Sequence, residues 1–260
     1  MRCLLYLLIG LLLPGLQNAL AQGDALPQLF VERKPAAPAK RAEAHTNLGA
    51  LYFRHGRLEV ALEEANIALE ADKDYHQAWT LRALVYQELG EAQKSMDDIG
   101  QALALAPHDP EVNNNYGWIL CNSGYPAESE PYFNKAAKTP LYKTPTRAYV
   151  NAGRCSHMAG DLVKAESYFR LALNISDQKD LQAHLELAEL YLEQRRYEFS
   201  QKHANIGLQQ SNPPTAKALW LGIRLAWVRG ENQQARDYAV QLRRHHKNSE
   251  EFQQYMESSY

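Results

Sequence analysis

Any chemistry in this chain has to come from its nine histidines, three cysteines and 30 carboxylates, so their spacing is the first thing to weigh. A Gly-rich phosphate loop, a His-Glu-x-x-His helix and a nucleophile elbow are all missing from the sequence. The histidines lack metal-ligand spacing, and the adjacent His245-His246 reads as a solvated helix end. We therefore expect no catalytic, cofactor-binding or metal residues, no cofactor and no enzyme. Acidic runs such as Glu63-Glu64 and Asp97-Asp98 read as exposed helix faces. The informative pair is Cys121 and Cys155.

Their meaning depends on the compartment, for which the N-terminus speaks. Met1-Arg2-Cys3 leads into an apolar run from Leu4 to Leu13, then Pro14-Gly15 and the small-residue triplet Ala19-Leu20-Ala21. This is the pattern of a secretory signal peptide over 1–21, cleaved before Gln22. The run is shorter than the ~20 apolar residues a membrane span needs. Export leaves Cys121 and Cys155 as the only cysteines in an oxidising environment, where an even pair favours a disulfide. Loss of Arg2 with the signal changes 28 basic and 30 acidic residues to 27 and 30, a net charge of -3. That charge offers no basic excess for phosphates, so a nucleic-acid partner is not expected. Residues 22–40 carry Pro27, Pro35 and Pro38 without sustained periodicity and read as a flexible tether.

The elements that position the cysteines emerge from a repeat. Gly56, Gly90, Gly124 and Gly160 are separated by 34, 34 and 36 residues, close to the 34-residue period of the tetratricopeptide helix-turn-helix unit. A small residue recurs in phase at Gly49, Ala83, Gly117, Gly153, Ala188 and Gly222. In the partner helix small residues recur at Ala61, Ser95, Ser129, Ala165 and Ser200, and at Ala68, Ala102, Ala136, Ala172 and Gly207, before Gln234 and Gln241 break both series. Small residues belong where two helices cross closely, since larger ones overpack the crossing. The fold class is thus all-α: a right-handed superhelical solenoid of six tetratricopeptide repeats over 41–246. Its antiparallel helix pairs start near 42, 76, 110, 146, 181 and 215. The glutamines suggest a polar terminal cap, and 247–260 reads as a helical extension or tail. The connection Thr139 to Pro145 lengthens one repeat, which suggests sub-blocks at 42–109 and 110–246, joined without a true domain boundary. Pro131 should kink or weaken the second helix of unit three.

Such solenoids bind other chains on the face lined by their first helices. In this register the face carries Thr46, Ala50 and Phe53; Thr80, Leu84 and Gln87; Asn114, Trp118 and Cys121; Val150, Arg154 and His157; Leu185, Glu189 and Leu192; and Leu219, Ile223, Ala226 and Trp227. From these we take Ala50, Phe53, Leu84, Asn114, Trp118 and Val150 as the candidate partner-binding groove. Phe53, Leu84 and Trp118 make it apolar enough for an extended or helical peptide, although the same side chains could instead pack against the next unit. Cys121 and Cys155 fall on consecutive first helices, so a bridge needs only that their α-carbons approach within about 7 Å. Closing that loop would stabilise by about 3–4 kcal/mol.

The stretch Asn113-Asn114-Asn115-Tyr116-Gly117-Trp118-Ile119-Leu120-Cys121, with Pro140-Leu141-Tyr142, Thr144-Pro145 and Asn151-Ala152-Gly153-Arg154-Cys155, resembles the type IV pilus biogenesis and stability proteins of the PilW (PilF) family. The resemblance spans nearly the whole mature chain. It implies a periplasmic, pilotin-like scaffold at the inner face of the outer membrane that promotes assembly or stability of the secretin. The partner would be a PilQ-like secretin subunit, with no nucleic acid and no small-molecule substrate. Members of the family are typically lipoproteins, whereas no cysteine follows Ala19-Leu20-Ala21 here, so membrane contact is expected only indirectly. A general periplasmic adaptor for cell-wall enzymes and a holdase chaperone are the alternative roles.

Overall fold

The structure, a computed structural model, describes residues 37–258. The expected signal peptide and residues 22–36 of the expected tether lie outside the described residues. Among those residues there are thirteen α-helices and no strand. Six antiparallel pairs run α1 (Pro38–Arg54) with α2 (Leu58–Ala71), α3 (His76–Glu88) with α4 (Ala92–Leu105), α5 (Pro110–Asn122) with α6 (Glu130–Ala137), α7 (Pro145–Met158) with α8 (Leu162–Ile175), α9 (Leu181–Glu193) with α10 (Tyr197–Gln209), and α11 (Ala216–Arg229) with α12 (Asn232–His245). A thirteenth helix, α13 (Glu250–Ser258), follows. Each helix packs on its partner and on the next pair, and consecutive first helices also touch.

The small-residue ladder has a direct steric cause. A β-carbon added to Gly153 would lie 2.4 Å from the Phe169 ring, and one added to Gly117 would lie 2.9 Å from Phe133. Both rings are fully buried, each contributing about 1.5–3 kcal/mol of apolar burial, and the glycines make room for them. At two of the three serines in the ladder the hydroxyl is satisfied across the crossing, Ser95 donating to the Ala83 carbonyl at 2.8 Å and Ser200 to that of Ala188 at 2.7 Å, while Ser129 donates locally to the Pro126 carbonyl at 2.7 Å. The interhelical turns are left-handed at Gly56, Gly90, Gly124, Gly160 and Gly230, and Arg195 adopts φ 58° at the equivalent place in unit five. Asp109, Asp161, Asp180 and Thr215 cap α5, α8, α9 and α11 through backbone N–H groups of the first turn.

Three expectations need correction. The solenoid begins at Pro38 rather than 41, because proline is tolerated in the first helical turn, so Pro38 starts α1 and does not belong to a tether. Pro131 leaves α6 short, in line with a weakened helix, but does not kink it. It sits in the first turn of a helix only 8 residues long, since Pro131 has no N–H to give Ala127 and the helix starts where that loss is harmless. The register of unit six is displaced by one. From Gly222 to Gly230 is eight residues, against seven from Gly153 to Gly160, so α11 carries one extra residue before its turn. Consequently Ala235 and Leu242, not Gln234 and Gln241, point inward, with 3% and 0% exposure. Residues 38–258 belong to one compact unit.

Candidate binding groove

From α5 onward the first helices are stitched to one another along the repeat. Cys121 in α5 and Cys155 in α7 form a disulfide with α-carbons 5.9 Å apart. Asn151 donates to the Asn114 side-chain carbonyl at 3.1 Å, and Arg147 pairs with Glu111. Between α7 and α9, Arg154 pairs with Glu186 at 2.6 Å and His157 with Glu193 at 2.7 Å. Between α9 and α11, Lys217 reaches the same Glu186 at 2.9 Å, and Arg224 pairs with Glu189. Glu186 is 7% exposed. Burial alone would raise its carboxyl, but Lys217 and Arg154 outweigh that and hold it below the usual carboxylate range.

These links decide which candidate positions a partner can reach. Asn114 and Val150 are 2% and 3% exposed, sealed between α5, α7 and their neighbours, so both leave the candidate groove. Asn113, also buried, donates to the carbonyls of Pro107 and Asp109 and ties down the turn ahead of α5. Trp118 is half-buried against the cluster around the disulfide, serving core and groove together. Leu185, Leu192, Leu219, Ile223 and Ala226 are buried, as are Thr46 and Thr80. Trp227 stacks on Tyr255 of α13, with ring centroids 6.1 Å apart.

Trp227 nonetheless stays 38% exposed, and the other apolar positions left open lie toward the N-terminal end. Ala50 and Phe53 pack half-buried on the cluster of Ala61, Ala65, Leu81 and Val85. Leu84 packs half-buried against the cluster of Ala83, Ile99 and Ile119. Among the described residues no hydrogen bond, ion pair or disulfide joins α1 to α3 or α3 to α5. Arg82 shows the contrast: it pairs with Asp98 of its own unit and donates to Asn66, leaving the inner face unbridged. The accessible groove is therefore Ala50, Phe53, Leu84 and, further along, Trp118.

Two features were missed in the sequence. The Arg154–Glu186–Lys217 triad spans three units, and its signal was opposite charge recurring 32 and then 31 residues apart. The docking of α13 was signalled by Phe252 and Tyr255, spaced to share one helix face. Among the described residues no group of three His, Cys, Asp or Glu side chains could hold a metal ion, and no helix is long and apolar enough to cross a membrane.

Fold and groove together define a tetratricopeptide-repeat solenoid of the protein-binding kind. The tetratricopeptide repeat family profile matches residues 46–110. The chain is 29% identical over 248 residues to the type IV pilus assembly protein PilF of Pseudomonas aeruginosa, covering 95% of this chain and 96% of that protein. The crystal structure of PilW, a widely conserved type IV pilus biogenesis factor, superposes with a TM-score of 0.70 at 33% identity, covering 83% of this chain and 98% of PilW. The structure of Pseudomonas aeruginosa PilF aligns with a TM-score of 0.66 at 27% identity, over 86% of this chain and all of that one. The chain belongs to this PilW/PilF family of type IV pilus biogenesis proteins.

Proposed function

We propose that this protein acts without chemistry, as a periplasmic scaffold that binds a secretin subunit and promotes assembly or stability of the secretin ring for type IV pili. The observation that carries this reading is the unbridged apolar groove of Ala50, Phe53 and Leu84, on a chain whose relatives serve pilus biogenesis. An amphipathic or extended segment of the subunit would lay its apolar side chains on Phe53 and Leu84, displacing water from surface already half-covered. Binding would favour the oligomer by adding a partner to the subunit's assembly-competent form. The expected location is the inner face of the outer membrane, reached through the secretin.

The test is a gene deletion complemented with wild type or with Phe53→Ser/Leu84→Ser, scoring the secretin multimer and surface pili. The double variant should keep its helical signal and Tm within a few degrees while failing to restore the multimer. Full complementation by that variant removes the groove from the mechanism. A normal multimer in the deletion strain removes the secretin role. Co-purification of cell-wall enzymes in place of a secretin subunit would support the adaptor role.

A further inference from the structure

A second concave surface lies at the opposite end of the solenoid, between α12 and α13. The two helices barely touch, because α13 is held to α11 through its aromatic residues: Tyr255 meets Trp220 edge-on at 6.5 Å and stacks on Trp227. The space left between α12 and α13 is a cleft of about 710 Å³, in the range of clefts that take up ligands. Val240 and Met256 line it and are 57% and 40% exposed, with Phe252 beside them. Arg236 and Arg243 of α12, with Lys247 in the turn that follows it, stand along one side. Positions 236, 240 and 243 follow the three-to-four spacing of one helical face, a stripe of about 10 Å at the helical rise, and Lys247 adds a further cation from the turn beyond the helix.

The charge along this stripe is of one sign and unanswered. Among the described residues none of the three cations has a carboxylate within ion-pair distance, and Arg236 bonds only the Gln233 amide. The acids that begin α13, Glu250 and Glu251, line a separate pocket with Lys217 and Arg224 and so leave the cleft to the cations. An apolar floor with a cationic edge of about two helical turns and one further cation beyond it is complementary to an amphipathic helix flanked by carboxylates. A bilayer is a poorer match, since the apolar side chains line the recess between two helices instead of projecting from a convex face.

We infer that the α12–α13 cleft is a second docking site, for an acidic amphipathic helical segment of a protein partner, independent of the N-terminal groove. The probe is a synthetic helical peptide of about 14 residues, long enough to cover the stripe, with leucines on one face and glutamates flanking them. Controls carry lysine or glutamine in place of glutamate. Titration into the full chain with methyl-labelled methionine should shift the Met256 signal. Affinity should fall about tenfold from low to physiological salt, and at least tenfold with Arg243→Glu/Lys247→Glu, a surface pair whose Tm should stay at the wild-type value. The double variant should gain affinity for the lysine peptide. Equal binding of all three peptides, an unmoved Met256 signal, or indifference to the charge reversal would overturn the proposal. So would Arg243- and Lys247-dependent binding to anionic phosphatidylglycerol vesicles without peptide binding, which would assign the cleft to lipid.

Discussion

Between α1 and α3, and again between α3 and α5, the first helices meet without a single described hydrogen bond, ion pair or disulfide between them. From α5 to α11 every such junction carries polar or covalent links: Cys121–Cys155, Asn114–Asn151, Arg154–Glu186–Lys217, His157–Glu193 and Glu189–Arg224. Both regions use the same repeat and the same close crossings within units. The difference lies in what occupies the inner face. Polar pairs satisfied across a junction fix the spacing of neighbouring helices and use up the groups a guest would need. Apolar side chains half-covered by their own core leave surface to bury on binding. One chain thus divides into a receptive end and a stapled one.

Breaking the staple is the strongest test of that division. Cys121→Ala/Cys155→Ala removes a link across a sequence separation of 34 and should cost about 3–4 kcal/mol of stability, read as a lower urea midpoint. Hydrogen exchange should quicken at α5 to α7 and stay unchanged at α1 and α2. Equal loosening at both ends would dissolve the comparison. Glu186→Ala comes next, leaving Arg154 and Lys217 facing each other over a buried vacancy. A fully buried pair broken on one side costs about 3–5 kcal/mol. Here the partly exposed partners reduce that to about 2–3 kcal/mol, and adding Arg154→Met should recover part of it.

Gly153→Ala should cost about 1–2 kcal/mol, because its methyl meets the buried Phe169 ring and overpacking outweighs the gain in helix propensity. The matching change at the receptive end, Gly49→Ala, meets the tip of Leu81 at 2.8 Å but also the Glu64 β-carbon at 3.1 Å and the Ala61 carbonyl at 3.3 Å, which cannot swing aside, and should cost a similar amount. The stapled end also carries a pH signature. His184 meets His203 at 2.8 Å while its other ring nitrogen bonds the Gln178 carbonyl. Burial first, and His184 second, push His203 down to about 4. An unfolded histidine titrates near 6.5, so the unfolded chain takes up this proton first. The contribution is complete above pH 6.5 and is lost as pH falls toward about 4. Tm should decline through that window, and His203→Gln should flatten the decline. The smallest effect is a gain: Arg195→Gly relieves a left-handed residue at φ 58° and should add up to about 1 kcal/mol, visible as a slightly higher Tm.

The legible part of this protein was everything repeated in one dimension. Gly49, Ala83, Gly117, Gly153, Ala188 and Gly222 recur because each helix pair must cross closely, and Gly56, Gly90, Gly124 and Gly160 because each turn needs a left-handed residue; such local demands leave a period in the sequence. Cys121 and Cys155 were legible for the same reason, since the register places them on neighbouring helices. Where a local irregularity interrupts the period, the reading slipped: the extra residue in α11 moved Ala235 and Leu242 inward, and Pro131 opened a shortened helix instead of bending a long one.

Exposure was decided only in three dimensions. Asn114, Trp118 and Val150 occupy the inner face of their helices in the same way as Phe53 and Leu84, yet Asn114 and Val150 are sealed and Trp118 is shared with the core. Their accessibility depends on side chains brought across from the adjacent repeat. At the far end Trp227 is stacked on one face by Tyr255 of α13 and stays 38% exposed, and α13 lies outside the repeat altogether. The amino-acid sequence determined the six helix pairs, their crossings and the cysteine pair, because those follow from backbone geometry within and between adjacent units. Tertiary packing determined which stretch of the inner face is free to bind, because burial is a property of neighbours and not of the residue buried.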